Sequence, residues 1–301
     1  MAERIASQCI CCGSTALARS PAILMPFVAH RVFGWTPVEI TPEWGMRTLR
    51  AGMAYSICNS LQCQVCGVLF MDIRFSDAEL SALYSGYRDE AYTALRDHYE
   101  PGYRLQNASM VDRPPDTQWV ESFLKSRLPA SPRVLDWGGD TGKHTPFRTA
   151  GGTIHVFDIS ARPLEDGVQR VDERDVADHP FDLFILSHVL EHVSAPGQVI
   201  EAIAKLMSPS AILYIETPHE RLIADHPGSL DLAVAKKHWH EHINFFTPES
   251  MRTLLRSQGL KVIEECVRDL PSHANFTKVL SLACRLDDHH PVAGRPCPSA
   301  S

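Results

Sequence analysis

The sequence predicts an α/β protein, in which a mostly parallel sheet with helices on both faces follows a small unit stapled by cysteines. Three observations carry this. From Arg133 onward, short apolar runs alternate with amphipathic stretches. The first of those runs enters a glycine-rich turn, Trp137-Gly138-Gly139-Asp140-Thr141-Gly142. Two Cys-x-x-Cys pairs bracket the first 75 residues. Strands that alternate with helices form parallel sheets, because each crossover helix covers a face of the sheet.

In chain order, residues 1–75 hold many turn formers and little helical periodicity, and they read as a zinc-binding domain. Their pairs, Cys9/Cys12 and Cys63/Cys66, are each followed by glycine (Gly13, Gly67). Four thiolates are the set that tetrahedral structural zinc prefers, and a closed site adds stability rather than chemistry. The competing reading is four free or redox thiols. Cys11, Cys58, Cys266 and Cys284 read as small buried hydrophobes, and Cys297 as a tail thiol.

Residues 76–115 read as a helical linker or lid. Ser76 with Glu79 three residues on forms a capping box. Five tyrosines (84, 87, 92, 99, 103) follow before Pro114-Pro115. They either pack a linker helix or close over a ligand, with Tyr87 or Tyr92 at the substrate. The third domain, 116–286, opens with an amphipathic helix to Leu128. Strands are expected at 133–137, 153–157, 182–187, 211–216, 260–266 and 277–285, and helices at 196–207 and 248–258. Thr247 caps the last helix, Pro248 starts it and Gly259 follows its end. Residues 287–301, rich in Pro, Ala and Ser, read as a disordered tail.

Composition excludes other classes. The 301 residues carry net charge −7, and residues 1–130 hold 12 basic against 13 acidic side chains. There is no basic module for a nucleic-acid partner. No apolar run is long enough to span a bilayer, and residues 1–8 lack the apolar core of a signal peptide. A cytoplasmic protein with no membrane partner is expected.

The chemistry concentrates at strand ends. Glycines after the first strand let the backbone approach a ligand closely at the sheet's carboxyl edge. The second strand ends in Asp158, 22 residues after Asp136, where a carboxylate can accept both hydroxyls of a ribose. A further strand, Phe181–Ser187, runs into His188-Val-Leu-Glu-His-Val193, and Leu213–Pro218 supplies the next. Together these resemble the class I S-adenosylmethionine-dependent methyltransferases over about 116–285. The resemblance implies a Rossmann-like, seven-stranded, mostly parallel sheet with flanking helices. It places the cofactor at Asp136, Gly138, Gly139, Asp140, Gly142, Asp158, Asp175, Ser187 and His188, with Asp175 at the adenine amine. Asp140 departs from the family pattern, which has glycine there. Glu191 and His192 are read as structural or cofactor-neighbouring.

The segment Lys236-Lys-His-Trp-His-Glu-His-Ile-Asn-Phe-Phe246 adds four groups that could titrate or bind metal, His238, His240, Glu241 and His242. Histidine suits general base work, and a neighbouring carboxylate can orient it. With the four cysteines and the tyrosines, this segment resembles the sugar C-methyltransferases, which act on nucleotide-linked 4-keto deoxysugars. That resemblance implies Glu241 and His242 at the active site, with His242 as base, and a small, sugar-derived acceptor. Trp239 stands where that family has a tyrosine, and that family's further C-terminal domain is not expected here. An O-methyltransferase of a polysaccharide or secondary metabolite is the nearest alternative. A zinc-containing RNA-modifying or non-catalytic binding protein is the alternative of another class.

Overall fold

The computed structural model describes residues 4–41, 43, 52–111, 117–160, 162–172, 176, 180–270 and 277–287. Asp175 and the tail from 288 onward lie outside the described residues.

The first strands are β1 (Leu17–Leu24), β2 (Val38–Ile40), β3 (Gly52–Ala54), β4 (Ile57–Cys63) and β5 (Leu69–Met71). Helix α1 (Pro26–Phe33) interrupts them. Its signals are local: Pro26 opens it, and Gly34 at φ +67° ends it by donating its N–H to the His30 carbonyl. This helix was not expected from periodicity, because eight residues give barely two turns of pattern.

The tyrosine segment forms α2 (Asp77–Tyr84), α3 (Glu90–Tyr99) and α4 (Tyr103–Val111). The expected capping box is present: Ser76 accepts from the Glu79 N–H, and Glu79 accepts from the Ser76 N–H. Leu83, Tyr92 and Tyr103 pack with Phe27, Leu69, Met71 and Trp239 in one core.

After α5 (Thr117–Leu124) come β6 (Arg133–Trp137), β7 (Thr153–Phe157), β8 (Val168–Arg170) and β9 (Leu183–Ser187). Then follow α6 (Pro196–Leu206), β10 (Ile212–Pro218), α7 (Arg221–Ala224), α8 (Leu232–Ala235), β11 (His238–Trp239) and β12 (Asn244–Phe245). The last elements are α9 (Pro248–Ser257), β13 (Leu260–Leu270) and β14 (Thr277–Leu286). The sheet has seven strands in the order β13-β14-β10-β9-β6-β7-β8. β8, β7, β6, β9 and β10 are mutually parallel, and β14 runs antiparallel between β10 and β13. The central strands are apolar nearly throughout, as parallel strands covered on both faces must be. α9 starts as expected, with Thr247 capping the Ser250 N–H.

A second, five-stranded sheet runs β11-β1-β4-β5-β12. Its two outer strands come from residues 238–245 and lie on opposite edges of the sheet, with residues 240–243 between them. Leu61, Val68 and Phe70 share one core with Phe184, Ile200, Phe246 and Leu254, which joins this sheet to the larger one. Among the described residues, no helix is long and apolar enough to cross a membrane.

Candidate functional site

β6 leaves the sheet at Trp137 and turns back at once. Gly142 sits at φ +78°, and a Cβ there would lie 2.9 Å from both Val168 methyls. A Cβ on Gly139 would lie 2.6 Å from the Asp136 carboxyl carbon. The turn is therefore packed directly over Asp136, which accepts a 2.5 Å hydrogen bond from the Thr145 hydroxyl. Burial pushes the Asp136 carboxyl up to about 7, against the opposing pull of that hydroxyl.

Asp158 ends β7 and binds the turn. Its Oδ2 accepts the Asp140 N–H at 2.8 Å, and its Oδ1 accepts the Ser160 N–H at 2.7 Å. Each oxygen keeps a lone pair for another donor. Asp140 adopts φ +52°, the left-handed region that a glycine would fill without strain. Asp is among the residues that tolerate it. Its carboxylate pairs with Arg162 at 2.5 Å. Burial raises its pKa, and Arg162 opposes the rise.

Ser187 ends β9, and His188 follows at φ +55°. The half-exposed His188 ring lies between Glu191 (Nδ1 to Oε1, 3.2 Å) and Glu216 (Nε2 to Oε1, 3.3 Å). Burial opposes its charge, but the two carboxylates raise its pKa to about 10. Glu216, on β10, also accepts from Arg268 (2.9 Å), Tyr214 (2.7 Å) and Ser281 (3.1 Å). Burial works against its ionisation, yet His188 and these donors hold it down at about 2.

The histidine segment does not converge on itself. His238 is exposed, and His240 Nε2 lies 2.5 Å from Glu100. Glu241 is gripped by Arg96 through two hydrogen bonds of 2.9 and 3.1 Å. Burial would neutralise it, but Arg96 and the neighbouring imidazoles hold it down at about 2. His242 points elsewhere: its Nδ1 lies 2.7 Å from Glu220 Oε1. The His242 ring meets His192 edge-on, with centroids 4.7 Å apart. His192 Nδ1 lies 2.8 Å from the Tyr84 hydroxyl and 3.1 Å from the Glu241 carbonyl. Tyr84, rather than Tyr87, reaches this cluster. Tyr87 stands edge-on to Tyr84 and Tyr92. Trp239 is fully buried and donates its Nε1–H to Ser60.

Sequence reasoning did not single out Glu220, Tyr84, Arg96 or Glu216. Glu220 lies two residues past β10, on the same carboxyl edge as the glycine turn, and that position was its available signal. Arg96 and Tyr84 come from helices whose orientation no local pattern reveals.

Cys9, Cys12, Cys63 and Cys66 bring their sulfurs within 4.8 Å of one another. Sγ–Sγ distances are 3.5 Å for Cys9–Cys66 and for Cys12–Cys63. The two knuckles match. Cys9 Sγ accepts the Cys11 N–H, and Cys63 Sγ accepts the Val65 N–H, each at 3.4 Å. Gly13 and Gly67, both at positive φ, donate to the Cys9 and Cys63 carbonyls. Four thiols in this arrangement could bind zinc.

A family model described as a methyltransferase domain matches residues 113–265. A ubiquinone biosynthesis O-methyltransferase from Xylella fastidiosa is 27% identical over 200 residues, covering 57% of this chain and 80% of that protein. The protein of that name from Saccharophagus degradans is 29% identical over 135 residues, covering 38% of this chain and 57% of its own length. Among solved structures, the chain is similar to Burkholderia thailandensis 1,6-didemethyltoxoflavin-N1-methyltransferase with bound 1,6-didemethyltoxoflavin and S-adenosylhomocysteine. That similarity has a TM-score of 0.46 and 20% identity, over 66% of this chain and 90% of that one. It is also similar to a glycopeptide N-methyltransferase complexed with S-adenosylhomocysteine, with a TM-score of 0.43 and 16% identity, over 62% of this chain and 98% of that one. With half of its length matched by the family model and the strand order described above, the chain belongs to the methyltransferase-domain family and is an S-adenosylmethionine-dependent methyltransferase of the class I fold.

Proposed function

We propose that this enzyme transfers a methyl group from S-adenosylmethionine to an oxygen of a small acceptor, of sugar or secondary-metabolite type. The observation that carries this reading is the meeting of two features at one sheet edge. The glycine turn with Asp158 lies at the ends of β6 and β7, and a polar histidine cluster follows β9 and β10. In this reading Gly138, Gly139 and Gly142 lie against the donor, with Asp136 supporting the turn beneath them. Asp140, Ser187 and His188 line its edge. Asp158 holds the ribose through its remaining lone pairs.

Methyl transfer is an in-line displacement on a sulfonium, so alignment supplies much of the rate. Only proton loss from the acceptor needs a residue. We assign that step to His242. The Glu220 carboxylate can only accept, so it keeps the proton on Nδ1 and leaves Nε2 with a free lone pair. Glu241 contributes by holding α3 through Arg96, and Tyr87 backs Tyr84. Cys9, Cys12, Cys63 and Cys66 hold a structural zinc that fixes the smaller sheet beside the acceptor. The matched relatives, named as O-methyltransferases, support oxygen as the acceptor atom.

A second reading, carbon methylation beside a ketone of a nucleotide-linked sugar, is favoured by the four cysteines together with the Glu241-His242 pair. Trp239 counts against it: the ring is buried and offers no hydroxyl at the cluster.

Calorimetry with S-adenosylhomocysteine tests the donor assignment, and absence of binding at millimolar ligand would remove it. NMR of the methylated product separates oxygen from carbon. His242→Ala should abolish turnover while leaving S-adenosylhomocysteine binding intact.

A further inference from the structure

One base needs one free nitrogen, yet the histidine cluster that follows β9 and β10 brings together three potential ligand atoms. His242 Nδ1 is bound to Glu220, and His192 Nδ1 to the Glu241 carbonyl and the Tyr84 hydroxyl. Both the carboxylate and the carbonyl can only accept. They place the proton on Nδ1 of each ring and leave both Nε2 lone pairs unused. His192 Nε2 lies 3.9 Å from Glu191 Oε1. Glu191 is 1% exposed, and its second oxygen, Oε2, is buried without a hydrogen-bond partner. One ligand atom from each of Glu191, His192 and His242 falls within 4.8 Å of the others.

We propose that Glu191, His192 and His242 form a binding site for a divalent first-row transition-metal cation that opens onto the acceptor. Two neutral imidazole nitrogens and one carboxylate oxygen suit such ions and leave coordination positions open. Glu220, Tyr84 and the Glu241 carbonyl supply the outer contacts that fix the imidazole tautomers, as partners of metal-bound histidines do. Glu191 Oε1 already pairs with His188, but Oε2 is buried with no hydrogen-bond partner, and a buried polar atom left unsatisfied is costly.

The inference rests on reading this pocket as the acceptor site, and it changes how the proton leaves. An acceptor hydroxyl oxygen that joins the cation is acidified and releases its proton to water. The oxygen then forms its bond to the methyl carbon as the carbon–sulfur bond breaks, and S-adenosylhomocysteine leaves with the sulfur electron pair. No electron transfer is involved. His242 promotes proton loss as a ligand rather than by receiving the proton itself.

The test is manganese(II) binding to the full chain, followed by electron paramagnetic resonance, with cysteine-bound zinc quantified separately. One manganese per chain is expected. Glu191→Gln and His192→Ala should each weaken it at least about tenfold, and His238→Ala, outside the cluster, should not. Unchanged zinc content and S-adenosylhomocysteine binding show that each variant is folded. If one variant fails to fold, the other decides. Glu220→Gln should weaken manganese about tenfold through His242 alone. Absent binding, or binding that survives both ligand substitutions, overturns the site. If manganese fails to bind while His242→Ala still abolishes turnover, the cation is refuted and the base assignment stands. Failure to bind S-adenosylhomocysteine would remove the transferase reading instead.

Discussion

Asp136 lies beneath the glycine turn with a pKa raised to about 7 from an ordinary 3.8, so it makes stability depend on pH in an unusual direction. The folded state binds the proton more tightly than the unfolded chain does. Its stabilising contribution is therefore complete below about pH 4 and is lost as pH rises through about 7. Between pH 5 and pH 8, these two pKa values give a loss on the order of 2–3 kcal/mol from this one carboxyl. Asp136→Asn removes the titration while keeping an oxygen to accept the Thr145 hydroxyl. Any fixed offset from the new amide cancels when the two proteins are compared at two pH values. Thermal unfolding of the apo forms at pH 5 and pH 8 is the assay. Relative to the variant, wild type should lose about 3–5 °C on going to pH 8. Parallel pH dependence in the two proteins would show that Asp136 ionises normally and that the turn exacts no penalty from it.

Three further outcomes are expected. Arg96→Ala leaves Glu241 buried with its bidentate partner gone, so guanidinium unfolding should show a loss of about 3–5 kcal/mol; a loss below 1 kcal/mol would mean the pair is solvated. Gly142→Ala forces a left-handed residue with its Cβ 2.9 Å from the Val168 methyls, and should cost about 1–3 kcal/mol in the same assay. Removing zinc with a chelator should release one equivalent per chain and lower the melting temperature by about 10 °C or more. An unchanged melt would leave the four thiols without a structural metal.

What was legible in the sequence divides along a physical line. Six of the seven strands of the larger sheet announced themselves as apolar runs, as Leu183–Leu186 and Ile212–Ile215 do, whereas β8, three half-buried or exposed residues at the sheet's edge, left no such run. The caps at Ser76 and Thr247 could be read because their chemistry is local, three residues deep. The nearness of the two sulfurs within each cysteine pair could be read because the Cys-x-x-Cys spacing makes a tight turn, but the meeting of the two pairs depends on the strands that carry them. Pairings across distant segments left no such trace. That Glu241 belongs to Arg96, that His242 turns to Glu220, and that Tyr84 reaches His192 depend on how α3, the β10 exit and α2 pack. The adjacency of Glu241 and His242 suggested a working pair, whereas their side chains leave the chain in different directions and serve different partners.

The pairing of β1 with β11 joins Ile23 to His238 and Leu24 to Trp239. A contact between residues more than 200 positions apart can close only after nearly the whole chain exists, and such closures slow folding. During synthesis the smaller sheet emerges first but lacks both of its edge strands until residues 238–245 arrive. Until then β1 and β5 expose unpaired backbone edges that another chain could join. Thiolate ligation at the cysteines would hold the early strands together through that interval. His242 lies between the two strands that seal the sheet's edges, so a half-made chain lacks both that histidine and the closed sheet.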